Sequence, residues 1–163
     1  MDNRRRDCRQ QALDALQKAG HRALQYFARM DPDLFDGART AHDALVSLVF
    51  WQCEHLNVLG ALLADTPPVL KDGTFAALNG AACECQQATS MADLLAQFAA
   101  QQVELERQLC QLNDWARAFP IKAGGRSSTV EDRVFALASS IENQVAMLRK
   151  AAVGIEPIRS ELN

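Results

Sequence analysis

The chain has one tyrosine in 163 residues and few runs of β-branched residues. Strands draw on β-branched and aromatic side chains. Their scarcity beside many Ala, Leu and Gln points away from sheet and towards helix. A CxxC pair is also missing, and the five cysteines (Cys8, Cys53, Cys83, Cys85, Cys110) are odd in number. That excludes a disulfide framework and suits a reducing cytoplasm, with the thiols acting as small hydrophobes. Cys83 and Cys85, two apart on a helix, point to different faces with no histidine nearby in sequence, so they do not clamp one metal. A formal charge of −3 gives no ground for expecting nucleic acid or an anionic membrane as partner. The basic start around Arg4, Arg5 and Arg6 leads into Cys8-Arg9-Gln10-Gln11 rather than an apolar core, which excludes an ordinary secretory signal. Without interleaved aromatics, these arginines read as a solvated helix start. No apolar run approaches the ~20 residues of a membrane span. Nucleophile motifs, Gly-rich nucleotide fingerprints and suggestively spaced carboxylate pairs are all lacking.

What is present is helical periodicity. The longest apolar helix runs from Ala41 to Asp65, with Thr40 as N-cap and Asp43 in its first turn. Leu45, Leu48, Val49, Leu56, Leu59 and Leu63 form one stripe. Ala44, Val46, Phe50, Trp51, Val58 and Leu62 fill much of the remaining circumference. A helix apolar on so many sides is central to a bundle, and its breadth suggests a homodimer as well. Thr66-Pro67-Pro68 ends it.

Three further long helices are expected. The first spans Asp7 to Met30, with a stripe of Leu13, Leu16, Ala23, Leu24, Phe27 and Met30, and Gly20 in its middle permits a close crossing. After Asp31-Pro32-Asp33, Leu34 and Phe35 are expected to tuck under the bundle. A short extra helix runs from Phe75 to about Gln86. Ser90 then caps a helix reaching Leu112, whose stripe (Leu94, Leu95, Phe98, Val103, Leu105, Leu109, Leu112) slips in register near Gln102. Residues 113–128 read as a loop. The last helix starts at Thr129, buries Val134, Leu137, Ile141, Val145 and Leu148, and ends at Gly154, leaving Ile155 to Asn163 as a tail. The expected fold is one all-α domain over residues 1–163: a four-helix bundle with long connections and a short helix between the second and third long ones. The connections are long enough to span the bundle, so they leave its topology open.

Several segments in fixed order carry a family resemblance. They are Asp33-Leu34-Phe35-Asp36-Gly37-Ala38-Arg39-Thr40, Ser47-Leu48-Val49-Phe50-Trp51, Pro67-Pro68, Gly73-Thr74-Phe75 with Leu78-Asn79, and Phe119-Pro120-Ile121-Lys122 ahead of Thr129-Val130-Glu131-Asp132-Arg133. Over Leu24 to Arg149 the chain resembles the DinB-like superfamily, closest to its DfsB/ClbS-like branch. The resemblance implies a bundle whose metal is held by three histidines, one in His-Leu-x-x-Trp on the central helix and two in His-x-x-x-His on the last. Histidines four apart share a helix face, and a third from a facing helix completes an open site. Here those positions are Ser47, Ser140 and Gln144, or Ser139 and Asn143 if the last helix is aligned one residue earlier. Serine and glutamine are poor ligands for zinc or nickel, so no metal cofactor is expected.

The three histidines do not rebuild the site. His21 reads as exposed, His42 sits at a helix start, and His55 lies two turns beyond Ser47, about 80° away around the axis. His55 reads as bordering the core with a ring nitrogen satisfied. Trp51 reads as a core residue with its indole N–H satisfied, and Arg133 as pairing locally with an acid. Lys122 and Arg126 flank Gly124-Gly125 in a bare loop. The expected function is binding or sequestering of a small molecule, without metal, in a pocket of Ser47, Trp51, His55, Arg133, Ser140 and Gln144. A hydrolase or thiol-dependent transferase and a dimeric interaction protein are the alternatives.

Overall fold

The computed structural model describes the backbone of residues 2–159 and the side chains of residues 6–154. The side chains of Arg4 and Arg5, and residues 160–163 of the expected tail, lie outside it. The elements are α1 (Asp2–Phe27), α2 (Ala41–Leu63), α3 (Phe75–Cys85), α4 (Met91–Gln111), β1 (Ala118–Phe119), β2 (Ser128–Thr129) and α5 (Val130–Arg159).

Local chemistry sets the helix ends. Thr40, Thr74, Ser90 and Thr129 each accept a hydrogen bond from the backbone N–H three residues on, satisfying a donor the first turn leaves free. At the end of α2, Thr66 N–H donates to Ala61 O (2.9 Å) and Asp65 N–H to Leu62 O (3.3 Å). With Asp65 at φ 54°, this is a Schellman stop without the customary glycine. The proline pair follows it. Gly154 stops nothing: α5 runs on to Arg159, because a helical glycine costs only about 1 kcal/mol.

Side-chain pairs give the directions that loop length left open. Arg22 meets Glu142 and Tyr26 meets Arg149, so α1 and α5 run parallel. His42 meets Thr89 and Gln52 meets Gln102, so α2 and α4 run parallel too. Leu16 meets Gln102 while Arg9 reaches Leu112, so α1 opposes α4. The order is up, down, down, up. α1 packs mainly on α5 and α2 mainly on α4, while α2 touches α5 only sparsely.

The core takes the expected stripes except at Leu63, which is 37% exposed at the end of α2, and with two further corrections. Val103 is 69% exposed and Gln102 is buried instead, so the stripe of α4 does not slip. Gln102 keeps its place in that stripe, accepting from Gln52 Nε2 (2.8 Å) and donating to Leu16 O (3.0 Å). Gly20 makes the room: a Cβ there would sit 2.5 Å from Gln102 Cδ. Phe35 does not tuck under the bundle. It is 56% exposed and pairs in a single bridge with Thr40, which turns its ring outwards while Leu34 packs inwards.

By length and composition α2 is apolar enough to cross a membrane, although charged and amide side chains interrupt its apolar runs. Over its most apolar window 56% of it is buried within the chain, by α3, α4 and α5. Intramolecular neighbours therefore take up part of the breadth that suggested a homodimer. Residues 113–128 are more than a loop. β1 and β2 pair antiparallel, Ala118 opposite Thr129, and Trp115, Phe119 and Ile121 are buried.

Candidate functional site

Ser47 and Trp51 lie one turn apart on α2 and face α3. Ser47 Oγ and Trp51 Nε1 both donate to Asn79 Oδ1, at 2.9 and 2.8 Å. An indole N–H only donates, so the atom it meets on Asn79 is the oxygen, and two donors use both its lone pairs. The indole N–H of Trp51 is thus satisfied, as its sequence context implied.

An aromatic and cationic rim surrounds this node. Phe50 meets Trp51 edge-on at 4.9 Å, and Phe75 of α3 lies 5.1 Å from Trp51. Lys71 Nζ sits 5.2 Å from the Phe50 ring centre and 3.6 Å from the buried carboxylate of Glu54. Lys122 Nζ sits 5.4 Å from the Phe75 ring centre, each cation resting on an aromatic face. Ala123 N–H donates to Lys71 O (2.9 Å), tying the long loop to the segment before α3.

The next turn of α2 faces α5. His55 Nδ1 approaches Trp51 O at 2.6 Å; a carbonyl only accepts, so Nδ1 carries the proton and Nε2 keeps its lone pair. His55 is half-buried. Desolvation lowers its pKa to about 4; the bond to Trp51 opposes this and the Arg133 charge adds to it. At neutral pH it is an uncharged acceptor. Among the described residues Arg133 does not pair with an acid. Its Nη2 donates to Phe119 O (3.2 Å) and Arg126 O, stapling the long loop, while Nε is buried with no partner. The enclosed space that His55 and Arg133 share is about 10 Å³, room for about one water. Leucines, Phe119 and two valines line the rest of it.

Ser140 is exposed, and Gln144 is half-buried with Oε1 lacking a partner. No hydrogen bond joins either to Ser47 among the described residues. His21 is exposed, and His42 Nε2 donates to Thr89 O (2.8 Å), holding two helix starts together.

A three-histidine metal centre does not fit this donor set. Ser47 Oγ is committed to Asn79. Among the described residues no group of three or more His, Cys, Asp or Glu side chains is placed to hold an ion. Cys83 is not an activated nucleophile, since its pKa is raised, first by desolvation and then by Asp43. Sequence reasoning about the site missed Asn79, Phe75, Lys71 and Glu54. Asn79 and Phe75 stood in the segments that carried the resemblance; a node two elements wide shows no spacing within one helix.

No protein-family model matches the chain, and no curated protein does. Among solved structures, mycothiol-dependent maleylpyruvate isomerase matches with a TM-score of 0.72 at 8% identity, covering 86% of this chain and 60% of that one. A histidine-to-alanine mutant of the same enzyme matches with a TM-score of 0.71 at 9% identity and the same coverage. The chain thus spans 60% of the length of the enzyme it resembles. Similarity at this identity shows the fold, an all-α bundle like that of the enzyme.

Proposed function

We propose that this bundle binds a small organic molecule in the open cleft where α2 faces α5, and that it does so without a metal. The observation that carries the reading is the Ser47–Asn79–Trp51 node. At the position where the resemblance implies a ligating histidine, a neutral hydroxyl is locked into a hydrogen bond with α3.

Helix geometry supports the location. Ser47, Trp51 and His55 follow one another at single turns on α2, and Arg133, Leu137, Ser140 and Gln144 do so on α5. His55 and Leu59 share their small cavity with Val130, Arg133 and Leu137, so the two stripes run antiparallel. Moving from His55 back to Ser47 is moving from Arg133 up to Ser140 and Gln144. Helix contact is sparse there and Ser140 meets solvent. The cleft offers the His55 Nε2 lone pair and an aromatic edge at Trp51. An acceptor beside an aromatic edge suits a molecule that donates hydrogen bonds from a partly apolar body. We place the chain nearest the DfsB/ClbS-like branch, in a reducing cytoplasm where its five cysteines stay free.

The fold likeness to a mycothiol-dependent enzyme favours one second reading, in which the cleft holds a low-molecular-weight thiol and the chain acts as a thiol-dependent transferase or isomerase. A melting-temperature screen of small molecules, thiols included, separates the two. At a hundredfold excess over Kd a bound ligand stabilises by about 2.7 kcal/mol, and the Trp51→Leu variant loses that rise. Ligands without thiol groups support sequestration, and thiols alone support the second reading. No ligand-dependent rise across the screen defeats both.

A further inference from the structure

A large concavity lies away from this cleft, between the C-terminal half of α1 and the matching stretch of α5. Its volume is about 780 Å³, within the range of small-molecule sites. Met30, Leu34 and Val145 give it apolar surface, and Tyr26, the sole tyrosine of the chain, contributes a half-buried ring.

The charges in this groove are unevenly matched. Arg22 is neutralised by Glu142 at 3.0 Å. Arg29 and Arg149 form no ion pair or hydrogen bond among the described residues, although both line the groove. The Arg149 guanidinium lies 5.7 Å from the centre of the Tyr26 ring. The one other acid there is Asp31, whose Oδ1 accepts from Asp33 N–H. Two unpaired guanidiniums thus meet one carboxylate, in a chain whose overall charge is −3.

We infer that this groove binds a small organic oxyanion, a carboxylate or sulfonate on an aromatic or aliphatic body. Guanidinium presents paired N–H donors that match a carboxylate and a flat face that stacks on rings. The Tyr26 hydroxyl adds a donor at the groove wall. Burial raises its pKa against the opposing Arg149 charge, so it stays protonated. The body of the ligand lies on Met30, Leu34 and Val145, and its anionic head lies between Arg29 and Arg149.

The single tyrosine provides the test. Protein labelled with 3-fluorotyrosine has one fluorine resonance, at position 26, and is titrated with 2-naphthoate. The expected result is a saturable shift, with affinity at least tenfold weaker in the Arg29→Gln/Arg149→Gln double variant. Arg107→Gln, at an exposed arginine on α4 paired with Glu104, leaves the affinity unchanged. The neutral analogue 2-naphthylmethanol binds at least tenfold more weakly. No shift, equal binding of the neutral analogue, or a double variant that binds as wild type overturns the inference. A resonance that moves with protein concentration alone identifies a second copy of the chain as the occupant, and overturns it too.

Discussion

The central helix α2 is bordered by two seams of opposite character. Against α4 it is closed: Gln52 and Gln102 meet in the core, Gln102 reaches on to Leu16 O, and the bare Cα of Gly20 leaves room for the amide. Against α5 it is open: contact is sparse, His55 is half-buried, and Arg133 Nε and Gln144 Oε1 have no partners. A polar group inside a seam costs stability unless it is satisfied. Gln52 Oε1 in the closed seam lacks a partner too, so the seams differ in how closely the helices meet and in the Gln52–Gln102–Leu16 chain of hydrogen bonds.

The sharpest way to break the comparison is to damage the closed seam. Gln102→Ala removes two hydrogen bonds, strands the Gln52 amide and opens a cavity, so chemical denaturation is expected to show a loss of about 3 kcal/mol. The double variant Gln52→Leu/Gln102→Leu, which removes both partners together, costs less than that single change. Gly20→Ala destabilises by about 1 kcal/mol despite the better helix propensity of alanine, because its Cβ meets Gln102.

Acid probes the open seam. His55 has a folded-state pKa near 4 against an ordinary 6.5, so the folded protein binds its proton less readily than the unfolded chain. Its contribution is complete above pH 6.5 and is lost as pH falls from 6.5 towards 4. It amounts to at most about 3 kcal/mol, and less where solvent reaches the ring. Urea midpoints between pH 7 and 4 are expected to fall more steeply for wild type than for His55→Gln. Parallel curves would show that His55 is not held neutral. The smallest effect belongs to the node. Ser47→Ala removes one of two bonds to Asn79 and lowers stability by about 1 kcal/mol in the same assay. A loss as large as that of Gln102→Ala would show that the open seam is as structural as the closed one.

Caps and stripes were legible because they are local: Thr40, Ser90 and Thr129 lie three residues from the amides they satisfy, and Leu137, Ile141, Val145 and Leu148 repeat at helical spacing. Gln102 was misread as a register slip because its partners, Gln52 and Leu16, sit on other helices. The β1–β2 ribbon has two residues per strand, too short for any alternation to show. Arg133 sits beside first-turn acids in sequence, yet its donors go to carbonyls of the folded loop. Of the candidate site, Ser47 and Trp51 belong together through Asn79, and His55 and Arg133 through one small cavity. What sequence could not supply was the α3 side of the node.

The proposed reading is a helical bundle whose cleft works without a metal. Calorimetry with zinc and nickel at neutral pH tests it directly, on wild type and on the triple variant Ser47→His/Ser140→His/Gln144→His. The expected result is no tight binding by wild type and a gained site in the folded variant. That gain is weaker by about 10–100-fold than in a site whose rings have orienting partners. Stoichiometric, tight binding by wild type would contradict the account, and a folded triple variant with no gain would show that Ser47, Ser140 and Gln144 do not face one another.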